Sequence, residues 1–362
     1  MSFVVNVLKY FVRSDDKLVL FVSYGGKHYS DSPKIIFERM TRDPRFREYH
    51  YMWGFVSPEK FTIEGAEKVK IDSVKYLVTA LKARVWITNV NIERAINFKG
   101  KNTFYLCTSH GMPLKGVKDD GKAFKGAYHC KYDYILAQSE FDIKLQQENF
   151  KVDSSKIALL GYPRNDKFFG DLSSEQMKVR NYYKVPNNKK IILYAPTYRD
   201  WNNGIEHLPI NVEKWEKAIG DRYVLFFRAH PTSRFDNDKY ESPFFIDTSQ
   251  YEDLDELLMA SDVLISDYSS LFFDFSLLHK PMICWAYDYD VFSKYRALRI
   301  DLINEVFGGM MPEDELLSII DVGDFVKSIE MAVEFQKKYV TVYGSATQKA
   351  LDLIFNNVNK SK

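Results

Sequence analysis

The chain has 362 residues, a formal net charge of +1, 46% hydrophobic and 27% charged side chains. That is too long for one ordinary core and suits two domains, and the composition excludes a disordered or fibrous chain. With 50 basic against 49 acidic residues there is no global field for nucleic acid, so any anion must be held by local arrangement.

Phe3, Val4, Val7, Leu8 and Phe11 recur on one helical face. Such a face fits a short helix packed on its own domain or one lying on a membrane surface. No basic region precedes an apolar core, so a signal peptide is not expected, and no apolar run approaches the ~20 residues of a spanning helix. Leu18 to Ser23 reads as a strand broken by Gly25-Gly26, and a helix starts near Ser32-Pro33 with proline in its first turn. Further strands are predicted at His50 to Phe55, Arg84 to Thr88, Thr103 to Cys107, Tyr134 to Ala137 and Ile157 to Leu160. Helices fall at Ser73 to Lys82 and Ser139 to Phe150.

The polar segment Ser173 to Lys190 ends in Val185-Pro-Asn-Asn-Lys-Lys190 and is the best linker candidate. It divides the chain into domains 1–172 and 173–340, while 341–362, with a helix from about Tyr343 to Phe355, fits either. The second series has strands at Lys190 to Tyr194, Tyr223 to Phe227, Phe244 to Asp247, Val263 to Ser266 and Pro281 to Trp285. Its helices are Val212 to Ile219, Leu254 to Ala260 and Ser269 to Leu278. This alternation predicts an α/β protein with two parallel-sheet domains, ligand loops at the carboxyl ends of strands and an active site in the inter-domain cleft. Cys107, Cys130 and Cys284 are few, odd in number and far apart, which suits reduced thiols in the cytosol.

The run Asp262-Val-Leu-Ile-Ser-Asp-Tyr-Ser-Ser270 places Asp267, Ser269 and Ser270 where a strand hands over to a helix. Free N–H groups and small hydroxyls at such a junction suit a diphosphate, although simple capping by Asp267 or Ser269 uses the same residues. Four other segments put polar residues after strands: Thr108 to Lys115, Gly161 to Asp166, Tyr194 to Asp200 and Arg228 to Pro231. His110 and His230 occupy matching positions in the two halves, and an imidazole can accept a hydroxyl proton near neutral pH. Gly111 lets a substrate approach the backbone. Arg164 and Arg228 suit bidentate phosphate contacts and Lys115 a point charge, with surface ion pairs as the alternative. No GxGxxG, P-loop, HExxH or CxxC pattern is present, so neither a metal nor a redox cofactor is expected.

His-Gly-x-Pro-Leu-Lys, Gly-Tyr-Pro-Arg-Asn-Asp, Leu-Tyr-Ala-Pro-Thr-x-Arg-Asp, Arg-x-His-Pro and Ser-Asp-Tyr-Ser-Ser-x-x-Phe-Asp occur in this order. Together they resemble the CDP-glycerol glycerophosphotransferase family of teichoic acid and capsular polymer synthesis. The resemblance covers roughly residues 70 to 300, with a weaker match at Tyr29 to Pro33. It implies two Rossmann-like domains in a glycosyltransferase-B-like fold, an N-terminal acceptor domain and a C-terminal CDP-donor domain. It implies His110 as base, His230 as a second essential histidine, and Ser269 and Ser270 as holders of the donor diphosphate, with Arg228 and Asp267. Thr197, Arg199 and Asp274 belong to the same motifs and are candidate substrate contacts. Ser109, Met112 and Ala297 depart from the family pattern on the acceptor side.

The expected reaction transfers a polyol phosphate from a CDP-alcohol to a hydroxyl of a polymer or lipid-linked saccharide acceptor, releasing CMP. CDP-glycerol or CDP-ribitol is the substrate rather than a cofactor. The chain is expected in the cytoplasm, peripheral on the inner membrane face, and the basic stretch Lys115 to Lys131 joins Phe3 to Phe11 as a candidate lipid contact. A nucleotide-sugar glycosyltransferase and a non-catalytic nucleotide-binding module are the competing readings of the same fold.

Overall fold

The computed structural model describes residues 12–94, 96, 98–116, 131–199, 205–206, 208–230, 233–235 and 242–359. Phe3 to Phe11 and all of Lys115 to Lys131 except Lys115, Gly116 and Lys131 lie outside them. The described residues of Met1–Met112, Lys122–Asp166 and Thr341–Lys362 form one unit, and those of Pro113–Gly121 and Lys167–Val340 form another.

In the first unit, strands β1 (Asp15–Val22), β2 (His50–Phe55), β3 (Glu67–Lys70), β4 (Ala83–Thr88), β5 (Phe104–Cys107), β6 (Tyr134–Ala137) and β7 (Ile157–Leu159) form one sheet. Their order is β3-β2-β1-β4-β5-β6-β7, with every neighbouring pair parallel. β1 shows why its apolar run is a strand buried on both faces. Leu18, Leu20 and Val22 enter one core cluster and Val19 and Phe21 the other, because successive side chains point to opposite faces. Helix Ala346–Asn359, which the sequence pattern leaves open between the two domains, packs Ala350, Leu351, Ile354 and Val358 into the cluster that holds Val19 and Phe21.

The second unit carries β8 (Lys190–Tyr194), β9 (Tyr223–Phe227), β10 (Phe245–Asp247), β11 (Val263–Ser266), β12 (Met282–Trp285) and β13 (Gly308–Gly309). Their order is β10-β9-β8-β11-β12-β13, again all parallel. Helices Glu313–Val322 and Val326–Tyr339, the edge strand β3 and the short β13 have no counterpart in the sequence reading. β3 reads Glu-Lys-Val-Lys with only Val69 buried, so it lacks the apolar run that betrays the central strands.

Both sheets follow the same plan. The strand order reverses between β1 and β4 in the first unit and between β8 and β11 in the second. Loops leaving such a pair diverge and open a crevice at the carboxyl ends, where α/β sheets bind ligands. Gly161, just after β7, has φ +83, and a Cβ there would stand 2.6 Å from the Val342 carbonyl oxygen, so the returning chain needs glycine at this point.

Candidate active site

In the first unit the crevice gathers the ends of β1, β4 and β5. Thr108 N–H donates to the Thr88 carbonyl at 2.7 Å and continues the β5 pairing by one residue, after which Ser109 (φ 57) and Gly111 (φ 136) turn the chain. His110 projects from this turn as an exposed ring. Its Nδ1 lies 3.1 Å from the Asn89 carbonyl oxygen. A carbonyl only accepts, so Nδ1 is the donor, and in the neutral ring this leaves the lone pair on Nε2.

Asn89 is itself held. Its Oδ1 accepts from Tyr24 N–H at 2.8 Å and its Nδ2 donates to Asp31 Oδ2 at 3.0 Å. Asp31 also accepts from the Tyr24 hydroxyl at 2.7 Å and from Ser32 N–H, and it faces Arg164 Nη1 at 3.5 Å. Burial raises the Asp31 pKa, but the Arg164 charge and these donors outweigh it and leave it below the ordinary carboxyl value. Arg164 is buried, with its guanidinium over the Tyr162 ring at 4.9 Å. Its positive charge faces Asp31, which in turn holds Asn89 under the His110 ring.

A second buried network underlies the same turn. Ser109 Oγ donates to the Gly111 carbonyl at 3.0 Å and accepts from Gln146 Nε2 at 3.3 Å. Gln146 Nε2 also reaches Asp142 Oδ1 and Tyr162 Oη, and the Tyr162 hydroxyl donates to Asp142 Oδ2 at 2.7 Å. Burial dominates at Asp142 and pushes its carboxyl up to about 6 in spite of these donors.

In the second unit Arg228, Ala229 and His230 follow β9. Arg228 Nη1 donates to the Thr248 and Tyr251 carbonyl oxygens at 2.9 and 2.8 Å, which ties the guanidinium to the neighbouring loop. The His230 ring stacks on Tyr198 with centroids 5.8 Å apart. Desolvation first, and then the positive charge of Lys115, hold its pKa below the ordinary value. Lys115 stands in a two-residue strand, Lys115–Gly116, antiparallel to Ala297–Leu298, so it belongs to the second unit and not to the His110 turn that precedes it in sequence.

Thr197, Arg199 and Asp267 meet at the β8/β11 reversal. Asp267 Oδ1 accepts from Thr197 N–H at 2.9 Å, and Asp267 Oδ2 from Arg199 Nη2 at 2.7 Å. Arg199 also grips Asp288 through Nε at 2.8 Å and Nη2 at 2.9 Å, and Nη1 donates to the Thr197 carbonyl. The Arg199 and Asp267 side chains are 3% and 1% exposed. Burial raises the Asp267 pKa, but the Arg199 charge and the Thr197 and Arg199 hydrogen bonds bring it below the ordinary value. A carboxylate and guanidinium so paired make an internal brace. Asp267, Arg199 and the Thr197 backbone, three positions expected from sequence to meet the donor or substrate, are thus tied to one another after the ends of β8 and β11.

The brace supports the next turn. Tyr268 stacks on Phe292 at 3.7 Å and donates to Asp288 at 2.9 Å. Ser269 Oγ accepts from Leu271 N–H at 3.2 Å, whereas Ser270, the cap of helix Leu271–Ser276, makes no side-chain cap bond. Both serines are half-buried, and Asp274 lies buried within the helix. Asn89, Asp31, Tyr24, Asp142, Gln146 and Asp288 are the residues the sequence reading passed over. Asn89 and Asp288 each lie within a few residues of a strand's carboxyl end, the signal that singled out the others.

A family profile described as CDP-glycerol:poly(glycerophosphate) glycerophosphotransferase matches residues 4–356. The chain belongs to this family. It is 35% identical to a teichoic acid poly(glycerol phosphate) polymerase of Staphylococcus epidermidis, over 95% of this chain and 51% of that protein. It thus spans about half the length of that relative. It is 30% identical to a teichoic acid glycerol-phosphate transferase of Staphylococcus aureus, over 93% of this chain and 92% of that one. A solved structure of the wall teichoic acid polymerase TagF with CDPG aligns with a TM-score of 0.89 at 29% identity, over 99% of this chain and 93% of that chain. The α/β fold with parallel sheets is thereby that of a glycosyltransferase-B-like teichoic acid polymerase. Among the described residues no helix is long and apolar enough to cross a membrane, and no cluster of His, Cys, Asp or Glu could hold a metal ion.

Proposed function

We propose that this chain transfers glycerol phosphate from CDP-glycerol to a hydroxyl of a teichoic acid or capsular polymer, or of a lipid-linked primer, and releases CMP. The family and the two relatives support the reaction class. The observation that carries the catalytic assignment is the 3.1 Å approach of His110 Nδ1 to the Asn89 carbonyl oxygen, which favours the proton on Nδ1 and leaves Nε2 of the neutral ring to accept one. His110 Nε2 takes the proton of the acceptor hydroxyl. The acceptor oxygen bonds to the phosphorus that bears glycerol, the bridging P–O bond breaks, and the electron pair leaves with CMP. His230, Arg228 and the backbone N–H groups around Ser269 and Ser270 offset the charge that builds on the diphosphate. Thr197, Arg199, Asp267 and Asp274 hold that seat in shape, and Lys115 adds positive charge beside His230.

The test is CMP release from CDP-glycerol, with CDP-ribitol and UDP-sugars in parallel. Transfer from CDP-glycerol with loss of at least a hundredfold in kcat for His110→Ala is expected. A preorganised donor is typically worth ~3 kcal/mol, so His230→Ala should also lose about a hundredfold. Near-normal transfer by a folded His110→Ala removes the base assignment, and UDP release moves the chain to sugar transfer. A lipid-linked acceptor brings the protein to the inner membrane face, and sedimentation with anionic vesicles measures that association.

A further inference from the structure

We propose that Arg94, Asp72 and the turn Tyr24–Gly26 with His28 form a subsite for a phosphodiester of the acceptor, beside the hydroxyl that His110 deprotonates. The subsite rests on the base role proposed for His110. All of its residues belong to the first unit. The Tyr24 ring meets both imidazoles in T-shaped contacts, with centroids 6.1 Å from His110 and 5.6 Å from His28. Tyr24, Gly25 and Gly26 have φ of 45, 63 and 84, three successive residues in the left-handed region. Tyrosine in that conformation carries strain of about 1–3 kcal/mol, a strain that gathers at ligand clamps.

Arg94 is anchored on one edge. Nε and Nη2 donate to the two oxygens of Asp72 at 3.2 and 2.8 Å, and Arg94 and Asp72 both sit at positive φ. Among the described residues nothing accepts a hydrogen bond from Nη1. That nitrogen lies 3.7 Å from the point a Cβ on Gly25 would occupy, and apart from chain neighbours no other described atom comes within 4 Å of that point. A guanidinium fixed in plane by one carboxylate, with its remaining edge over a residue that has no side chain, suits a tetrahedral oxyanion. A glycerol phosphate chain carries one phosphodiester charge per unit, so its last phosphodiester lies one glycerol from the terminal hydroxyl. The Tyr24 ring offers a surface to the polyol between them.

The experiment uses the full chain, a soluble oligo(glycerol phosphate) and an uncharged polyol acceptor. Arg94→Ala should raise the KM for oligo(glycerol phosphate) about tenfold, as loss of one charge-assisted hydrogen bond does, with kcat and donor KM within twofold. Arg94→Lys should not restore it, because a point charge lacks the planar fork. Gly25→Asn tolerates left-handed backbone and fills the space under Nη1, so it should raise the same KM. The uncharged acceptor should be insensitive to all three. Calorimetric titration of oligo(glycerol phosphate) into wild type and Arg94→Ala gives a readout that needs no turnover, with weaker binding by the variant expected. Equal binding by the two proteins, no binding to either, or a shift confined to donor KM overturns the subsite. Loss of CDP-glycerol turnover in the wild type overturns the proposed reaction instead, and leaves the titration to decide the subsite.

Discussion

Asp142 is enclosed by Tyr162, Gln146 and the Gln138 backbone, with the Arg164 charge near enough to act on it, yet its carboxyl titrates near 6 because burial outweighs them all. The folded state therefore holds the proton more tightly than the unfolded chain, whose carboxyl titrates at the ordinary 3.8. Stability must fall as pH rises from about 4 to about 6, by an amount on the order of a few kcal/mol. Asp142→Asn should lose that slope, which urea denaturation at pH 4.5 and 7 would show as a gain relative to wild type at the higher pH. Arg199 behaves oppositely. Its removal strands Asp267 and Asp288, so Arg199→Met should destabilise the second unit by about 3–5 kcal/mol, read by denaturation. His230 reports on Lys115: Lys115→Met should move its titration upward, as proton NMR of the ring would detect. His110 and His230 were legible in the chain because a histidine just past an apolar strand is a local pattern. The pairs Asn89 with His110 and Asp288 with Arg199 were not, since they are relations between residues 21 and 89 positions apart.

Strands carry the candidate loops to their places, and the central strands were readable because each is an uninterrupted apolar run. The topology that makes their ends significant was not readable, since nothing in Val263 to Ser266 announces that it pairs with Lys190–Tyr194 and places Asp267 against Thr197. The helix Leu271–Ser276 is shorter than the pattern Ser269 to Leu278 suggests, because Ser269 and Ser270 stay outside it before its start and Leu277 and Leu278 form a turn after its end. Leu271 N–H is held by Ser269 Oγ and Phe273 N–H by the Ser270 carbonyl, so the other backbone N–H groups of the first turn are the ones in the place proposed for the donor diphosphate. A carboxylate set there repels the ligand, so Ser270→Asp should raise donor KM at least tenfold while leaving the thermal midpoint within a few degrees. Unchanged donor KM would remove the turn from the binding site.

The division of the whole molecule was the part least visible in its chain. The polar helix Leu172–Tyr182 belongs to the second unit, and the chain leaves the first at Asp166 only to return at Thr341. Amphipathic spacing shows that Ala346–Asn359 has a face to bury but cannot say which core receives it. Asp166 accepts from Ala346 and Thr347 N–H at 3.0 and 2.7 Å and so caps this returning helix, while Arg45 pairs with Asp352 along it. Deleting residues 346–362 removes Phe355 from the Phe46 ring and opens the cluster that also holds Phe104 and Leu136. Such a truncation should lose the cooperative unfolding transition of the first unit while the second keeps its own, a split that calorimetry resolves.

That late return reverses the order in which a ribosome can deliver finished structure. Every strand of the first sheet emerges before any of the second, but its core stays open until translation has passed Val358. The sheet encoded later can close as soon as Tyr339 is out. Of the two units, the one whose sheet is translated first therefore closes last, and a nascent chain stalled short of Ala346–Asn359 would expose an apolar cluster for chaperones to cover.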